Sequence, residues 1–424
     1  MKVFNNIALA CPDILLPKKG TDLSKWAVIA CDQYTSEPDY WKGATDYVGD
    51  APSTLKVVLP EVYLPLETPE QIEDRLKNIA STIDTYIADG IWDSAREGFI
   101  VLDRSTPLHP SRMGLVAAFD LEKYSYTPGN KELIRATEGT VLSRIPPRVK
   151  IRANAKVELP HIMILIDDPE HTVVQKAWDA MDGKAEPCYD TDLMAGSGHI
   201  KGYFIDSTSD ECANVINALN ALKGDEEGKM LFAVGDGNHS LASAKAHWDN
   251  VKQNLTEEER LTHPARYALA EVVNIHDKGL DFEPIHRVVF NLSRDEFIAK
   301  AKEYFKDNGV VVSDSKEEGQ SFVVTGSDKD TYITLKNPPH SLAVGSVQMF
   351  IDAMGYDVDY IHGEDSTRTL SADESKTVGI LLPDVSKNSF FDTIATEGVF
   401  PRKTFSMGEA FEKRFYLEAK RIDG

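Results

Sequence analysis

Four short apolar runs, at residues 162–166, 202–205, 230–234 and 268–275, constrain the fold of this chain more than any other feature. Runs of that length bounded by turn residues read as strands, and helix-patterned segments lie between several of them. Strands alternating with helices build layered sheets, so the middle third is expected to be α/β. The surroundings extend this to a mixed α+β architecture. Residues 26–31, 99–103 and 115–120 read as further strands, while Thr68-Pro69-Glu70-Gln71 reads as a capping box with proline at the first helical position. Ile72, Leu76, Ile79, Ile83 and Ile87 follow at helical spacing, and Gly90 ends that helix. Thr208-Ser209-Asp210-Glu211 matches a second box, and residues 241–255 carry another helical pattern. After residue 291 a helix opened by Ser293-Arg294-Asp295-Glu296 is followed by three antiparallel strand candidates at 310–312, 322–325 and 332–335. The expected division is an N-terminal α/β region at 1–129, a core at 130–291 and a C-terminal α+β region at 292–424.

Charge narrows the partners. Lys and Arg number 46 against 68 Asp and Glu, and the net charge of -22 repels a polyphosphate backbone, so nucleic acid is not an expected partner. Cys11, Cys31, Cys188 and Cys212 form no CxxC pair, which argues against a zinc knuckle or dithiol motif and for reduced thiols in a cytosol. No apolar run reaches membrane-spanning length, and the stretch 7–16 is broken by Cys11-Pro12-Asp13, unlike a signal peptide. A soluble, cytoplasmic protein is therefore expected, working on a small molecule.

The chemistry concentrates at Gly235-Asp236-Gly237-Asn238-His239-Ser240, between an apolar run and a helical pattern. A glycine turn at a helix N-terminus presents unpaired N–H groups at the positive end of the helix dipole, which favours phosphate or carboxylate. Asn238 or Ser240 is the expected cap, and Asp236 and His239 offer a carboxylate and an imidazole for metal, hydroxyl or phosphate contacts. An ordinary strand-to-helix turn explains the same residues. Asp32, after the 26–31 run, either faces a ligand crevice or caps its own turn. His276-Asp277 and His286-Arg287 flank a turn expected to bring both imidazoles toward His239. No His-Glu-x-x-His helix or calcium loop occurs, so any bound metal is expected to be magnesium accompanying phosphate, with Asp236 as its ligand. His161 reads as structural, and Ala195-Gly196-Ser197-Gly198 as a second anion turn or a plain hairpin.

The motif resembles the Asp-Gly-His-His-Arg signature of domain-of-unknown-function family 1015. The likeness extends to Cys31-Asp32-Gln33-Tyr34, Arg135-Ala136-Thr137-Glu138-Gly139-Thr140, Leu159-Pro160-His161 and Pro284-Ile285-His286-Arg287. That signature is similar to the one in the ParB and sulfiredoxin-like superfamily, which includes an ADP-dependent free-serine kinase and uses the motif on nucleotide phosphates. The resemblance implies a ParB/sulfiredoxin-like core that binds ATP or ADP with Mg2+ and transfers phosphate to a hydroxyl-bearing metabolite. Gly235, Gly237, Asn238, Ser240 and Arg287 would then contact the nucleotide, Asp236 and His239 would organise phosphate or magnesium, and Glu138 or Asp32 would take the hydroxyl proton. Glu138 as a solvated loop acid is its plain alternative. Two positions depart from the signature: Asn238 stands for histidine and Ser240 for arginine. Serine lacks the bidentate, charged grip of arginine, so Lys245, Arg287 or the basic tract holding Arg144, Arg148, Lys150 and Arg152 is expected to replace it. A nucleotide or metabolite sensor without catalysis is the rival reading. A hydrolase built on His239 and Asp236 is weaker, because Gly196-Ser197-Gly198 lacks the Gly-x-Ser-x-Gly elbow.

Overall fold

Side chains along the strand Arg96–Ser105 alternate between two cores. Phe99 and Val101 join one with Phe119, Ile164, Val234 and Trp248, whereas Ile100 and Leu102 join another with Val116, Trp26, Trp41 and Tyr86. A strand has a side-chain period of two, so this split means that both faces of the sheet are covered. Each fully buried aliphatic or aromatic residue here contributes about 1.5–3 kcal/mol of transfer free energy. The computed structural model of the chain describes residues 1–401 and 403–424, with Arg144 described for its backbone alone. Two units compose it: Met1–Leu280 with Glu409–Gly424, and Asp281–Gly408.

The first unit is mixed α/β. Its sheet runs Tyr124–Ser125, Ile134–Ala136, Phe232–Asp236, Met163–Ile166, Tyr267–Asn274, Met113–Asp120, Arg96–Ser105 in spatial order. The helix Pro69–Ala88 starts at Thr68 with the expected capping box closed in both directions. Ser209 caps Asp210–Lys223 by accepting from Cys212 N–H, while Thr208 bonds Asp206 instead, so the start lies one residue beyond Thr208. The expected strand at 26–31 is mostly something else: Leu23–Trp26 is a short helix capped by Asp22, and only Val28–Ile29 pairs as strand. Local capping outweighed the apolar pattern there.

The last residues of the chain return to this unit. Phe415–Tyr416 pairs with Val28–Ile29, and Ala419–Arg421 lies between Asp13–Leu15 and Val157–Glu158. The expected regions 1–129, 130–291 and 292–424 therefore do not coincide with the units. Met113–Asp120 pairs with Tyr267–Asn274 across the first of those boundaries, and Glu409–Gly424 belongs with the N-terminal part. Non-local strand pairing decides this, and local composition does not report it.

The second unit is α+β, with an antiparallel sheet ordered Val311–Ser313, Thr331–Lys336, Gln320–Val324, Thr377–Leu381, Phe282–Phe290, Val358–His362. Phe297 and Phe305 of the helix Arg294–Asp307 and Phe350 of Ala343–Met354 fill its core. Ser293 is the N-cap expected from the sequence. Among the described residues no helix is long and apolar enough to cross a membrane.

Candidate functional site

Three segments meet at one edge of the first unit's sheet, and strand direction is the reason. Phe232–Asp236 runs parallel to Ile134–Ala136, so the residues that follow both strands, 137–141 and 237–240, emerge side by side. It runs antiparallel to Met163–Ile166, with Asp236 opposite Met163, so His161 arrives at the same edge from the other direction. The motif thus lies at the carboxyl ends of Phe232–Asp236 and Ile134–Ala136, the side of the strands on which α/β proteins commonly take ligands.

Gly235 is a strand residue rather than part of the turn. Asp236 and Val234 oppose the consecutive residues Met163 and Ile164, which leaves Gly235 as the extra residue of a bulge that re-aims Asp236. Gly237 makes the turn itself, with φ 81°. The left-handed conformation favours glycine, and a Cβ there would also make a tight 3.1 Å contact with Ile162. Gly237 is also the N-cap of the helix Asn238–Val251, and it has no side chain to cap with. Neither Asn238 nor Ser240 supplies the expected cap. Both are inside the helix with their side chains committed elsewhere.

Asn238 sews the edge together: its Oδ1 accepts from Thr137 N–H at 3.2 Å, and its Nδ2 donates to Thr137 Oγ1 and Val234 O at 3.2 and 3.3 Å. Thr137 Oγ1 donates to Val234 O at 2.6 Å. His239 Nε2 accepts from Val141 N–H at 3.2 Å, which places the proton of the neutral ring on Nδ1. The loop is thus pinned at both ends to the motif, and half-buried Glu138 is carried on it. The role of the Asn238 amide is to hold the loop.

Ser240 Oγ lies 2.7 Å from His161 Nε2, and His161 Nδ1 lies 2.9 Å from the Tyr416 hydroxyl. Tyr416 accepts in turn from Cys31 N–H at 3.1 Å. Burial, then the neighbouring Cys31 and Asp32, raises the Tyr416 pKa well above its ordinary value, and burial with Asp32 pushes the Cys31 thiol up to about 12. Asp32, half-buried, accepts from the Gln33 side chain at 3.0 Å and is held beside this chain of bonds. His161 was expected to be structural, yet it links the motif to the C-terminal segment.

Asp236 meets an ammonium. Its Oδ2 lies 3.2 Å from Lys413 Nζ, whose side chain keeps only 10% of its exposure, and its Oδ1 accepts from Gly237 N–H at 3.0 Å. Magnesium does not fit there: one carboxylate with a cation already on it repels a second, and among the described residues no three His, Cys, Asp or Glu gather as a ligand set. Lys413 is the positive charge at the motif that the sequence placed elsewhere. Lys245 pairs with Asp249 and Glu122. Arg148 pairs with Glu61 and Arg152 with Glu158, while the Arg144 side chain lies outside the described residues. Arg287 belongs to the second unit, where it is buried, bonds Gln348 and the Ile285 carbonyl, and lies over the Tyr360 ring.

The two histidines expected toward His239 have partners of their own, each within its unit. His276 pairs with Asp167 at the far end of Met163–Ile166 from Asp236, and His286 accepts from Leu382 N–H inside the second unit. Residues 193–198 are the plain hairpin alternative, joining Tyr189–Asp192 to His199–Asp206 with Leu193 N–H bonded to Gly198 O at 2.8 Å. Lys413 and Tyr416 went unnoticed in the sequence. No spacing rule connects them to a motif about 180 residues earlier, and only the return of the chain brings them there.

The family model described as "Protein of unknown function (DUF1015)" matches residues 15–354. No curated protein matches the chain. Among solved structures, a free serine kinase in complex with AMP shares 11% identity at TM-score 0.36, covering 71% of this chain and 93% of its own. A C-terminally truncated SbnI from Staphylococcus aureus shares 11% at TM-score 0.39, covering 72% and 87%. A conserved hypothetical protein from Pyrococcus furiosus shares 10% at TM-score 0.34, covering 73% and 95%.

Proposed function

Since this chain belongs to the DUF1015 family, whose function is unknown, its activity has to be read from its own site, and we propose a nucleotide-dependent phosphotransferase acting on a small hydroxyl-bearing metabolite. One observation carries the reading: the uncapped helix start at Gly237 has a cation, Lys413, and an acid-bearing loop, Thr137 to Val141, fastened beside it. In this scheme the first-turn amides of Asn238, His239 and Ser240 hold a terminal phosphate of ATP or ADP. Lys413 offsets the charge that the signature's arginine would have met. Glu138 takes the proton of the acceptor hydroxyl, with Asp32 as the alternative base, and catalysis is mainly positioning and charge stabilisation. Asp236 serves by holding Lys413, and no step is assigned to magnesium. The signature's resemblance to that of nucleotide-binding ParB/sulfiredoxin-like proteins agrees with this assignment.

A sensor is the second reading, and the Asp236–Lys413 pair favours it: a carboxylate already neutralised is suited to holding a ligand rather than to turnover. Turnover separates the two. The wild type, given ATP or ADP with amino acids and hydroxy metabolites, is expected to yield a phosphorylated product detectable by mass spectrometry. Glu138→Gln should then cut the rate by about 100-fold or more with nucleotide affinity unchanged. Nucleotide binding with no product from any acceptor would leave the sensor, and no binding of ATP, ADP or phosphate would remove both.

A further inference from the structure

The hydrogen-bond chain behind Ser240 takes its direction from the donor and acceptor chemistry of its members. Cys31 N–H can only donate, so the Tyr416 oxygen is an acceptor at that contact and its own hydrogen points elsewhere. Two groups compete for that hydrogen: the Cys31 thiol, a weak acceptor, and His161 Nδ1, a strong one at 2.9 Å. The imidazole wins. With Nδ1 accepting, the neutral ring carries its proton on Nε2 and donates it to Ser240 Oγ across 2.7 Å. Ser240 then accepts on the protein side, and its hydroxyl hydrogen is left for whatever occupies the space beyond the helix start. Among the described residues Ser240 Oγ has no other partner.

We infer that Cys31, Tyr416 and His161 fix the Ser240 hydroxyl as a donor, so that the site presents a directed hydrogen to an acceptor oxygen of an anion, a terminal phosphoryl group. The inference rests on the phosphate-binding reading of the motif. It also fixes what Ser240 is not. A ring whose Nε2 already holds a proton cannot take one from serine, so His161 is no general base and Ser240 no nucleophile. His161 and Tyr416 are positioning residues, and with Ser240 they supply from three side chains a directed donor where the signature has arginine. Tyr416 lies beyond residues 15–354, the stretch that the family model matches.

The test has two arms. In the first, long-range nitrogen–proton NMR of the His161 ring in the wild-type protein should show the proton on Nε2. Tyr416→Phe, which removes only the hydroxyl, should move the proton to Nδ1 or mix the two forms. A wild-type ring protonated on Nδ1 overturns the inference whatever the protein binds. In the second, calorimetry with ADP and with inorganic phosphate should show affinity falling about tenfold in both Ser240→Ala and Tyr416→Phe, the loss expected for one directed bond to an anion. Ser240→Thr, which keeps the hydroxyl, should restore affinity to within about threefold, and Ser240→Ala with Tyr416→Phe should be no worse than Ser240→Ala alone. Undiminished phosphate affinity in Ser240→Ala overturns the donor role. A wild type with the Nε2 proton that binds neither probe overturns the phosphate reading, and the donor's role in it, while the direction of the chain stands.

Discussion

The first unit contains two glycine-rich turns that look alike in sequence and differ in what their backbones do. In residues 193–198 the chain turns between two strands, and Leu193 N–H bonds Gly198 O while Ser197 N–H bonds Met194 O, so the turn closes on itself. At Asp236 to Ser240 the chain passes from strand to helix, and the first-turn amides have no intrahelical acceptor. The glycines differ accordingly. Gly198, with φ 98°, is required because a Cβ would lie 2.0 Å from Ser105 O; Gly237 is required for its left-handed conformation against Ile162. A glycine turn becomes a candidate site through the element that follows it and the side chains delivered to it, and glycine content alone does not separate the two.

The largest expected effect breaks the comparison open. Gly198→Val should cost about 3 kcal/mol or more in urea unfolding, through strain and a backbone clash, while ADP affinity of the folded fraction stays unchanged. Gly237→Val should cost about 2 kcal/mol and also abolish ADP binding. Equal binding losses in the two variants would mean that the motif turn has no privileged role.

Next is Asn238→Ala. It deletes the side chain that joins Thr137 to Val234, at a cost of about 1–3 kcal/mol, and frees the loop bearing Glu138. Hydrogen exchange should quicken at Thr137 to Val141 and stay the same at 193–198. Unaltered exchange in the loop would show that the amide does not hold it.

Lys413→Met tests the electrostatic half of the difference, the ammonium that Asp236 holds at the motif turn. Removing the ammonium should weaken ADP by about tenfold at low salt, and the difference between wild type and variant should shrink as salt is raised. A salt-independent loss would point to packing instead.

The smallest effect is a pH dependence inside the motif helix. Burial, followed by the charge of Arg152, lowers His247 from 6.5 to about 4. The unfolded chain therefore binds this proton between those values and the folded chain does not, so stability is full above pH 6.5 and is lost as pH falls toward 4. His247→Gln should flatten the Tm curve across that window by a few degrees. An unchanged slope would mean that other groups carry the acid sensitivity.

How much of this was legible depends on the range of the interactions. Thr68 with Gln71, and Ser293 ahead of its helix, were readable because a cap is a contact between residues three apart. The strand, turn and helix at 232–251 were readable from an apolar run and one glycine. The failures have the same explanation in reverse. Asn238 and Ser240 have capping side chains by type, but Thr137 and His161, brought in by strand pairing, offered them stronger partners. Asp236 has a metal-ligand side chain by type, and Lys413 met it first.

By itself the sequence determined the mixed α/β class, the glycine turn at a helix start and, through family resemblance, the stretches at 31–34, 135–140 and 159–161 that adjoin it. Periodicity, capping and backbone conformation are local, and local physics is written in adjacent residues. Only the tertiary structure decided which charge stands at the motif and which way its hydrogen bonds point. His161 and Tyr416 are 255 positions apart, and the second unit intervenes in the chain before Lys413 and Tyr416 are reached. Such a contact depends on the closure of the whole sheet around the returning C-terminus, a cooperative outcome of many strand pairings that no window of sequence contains.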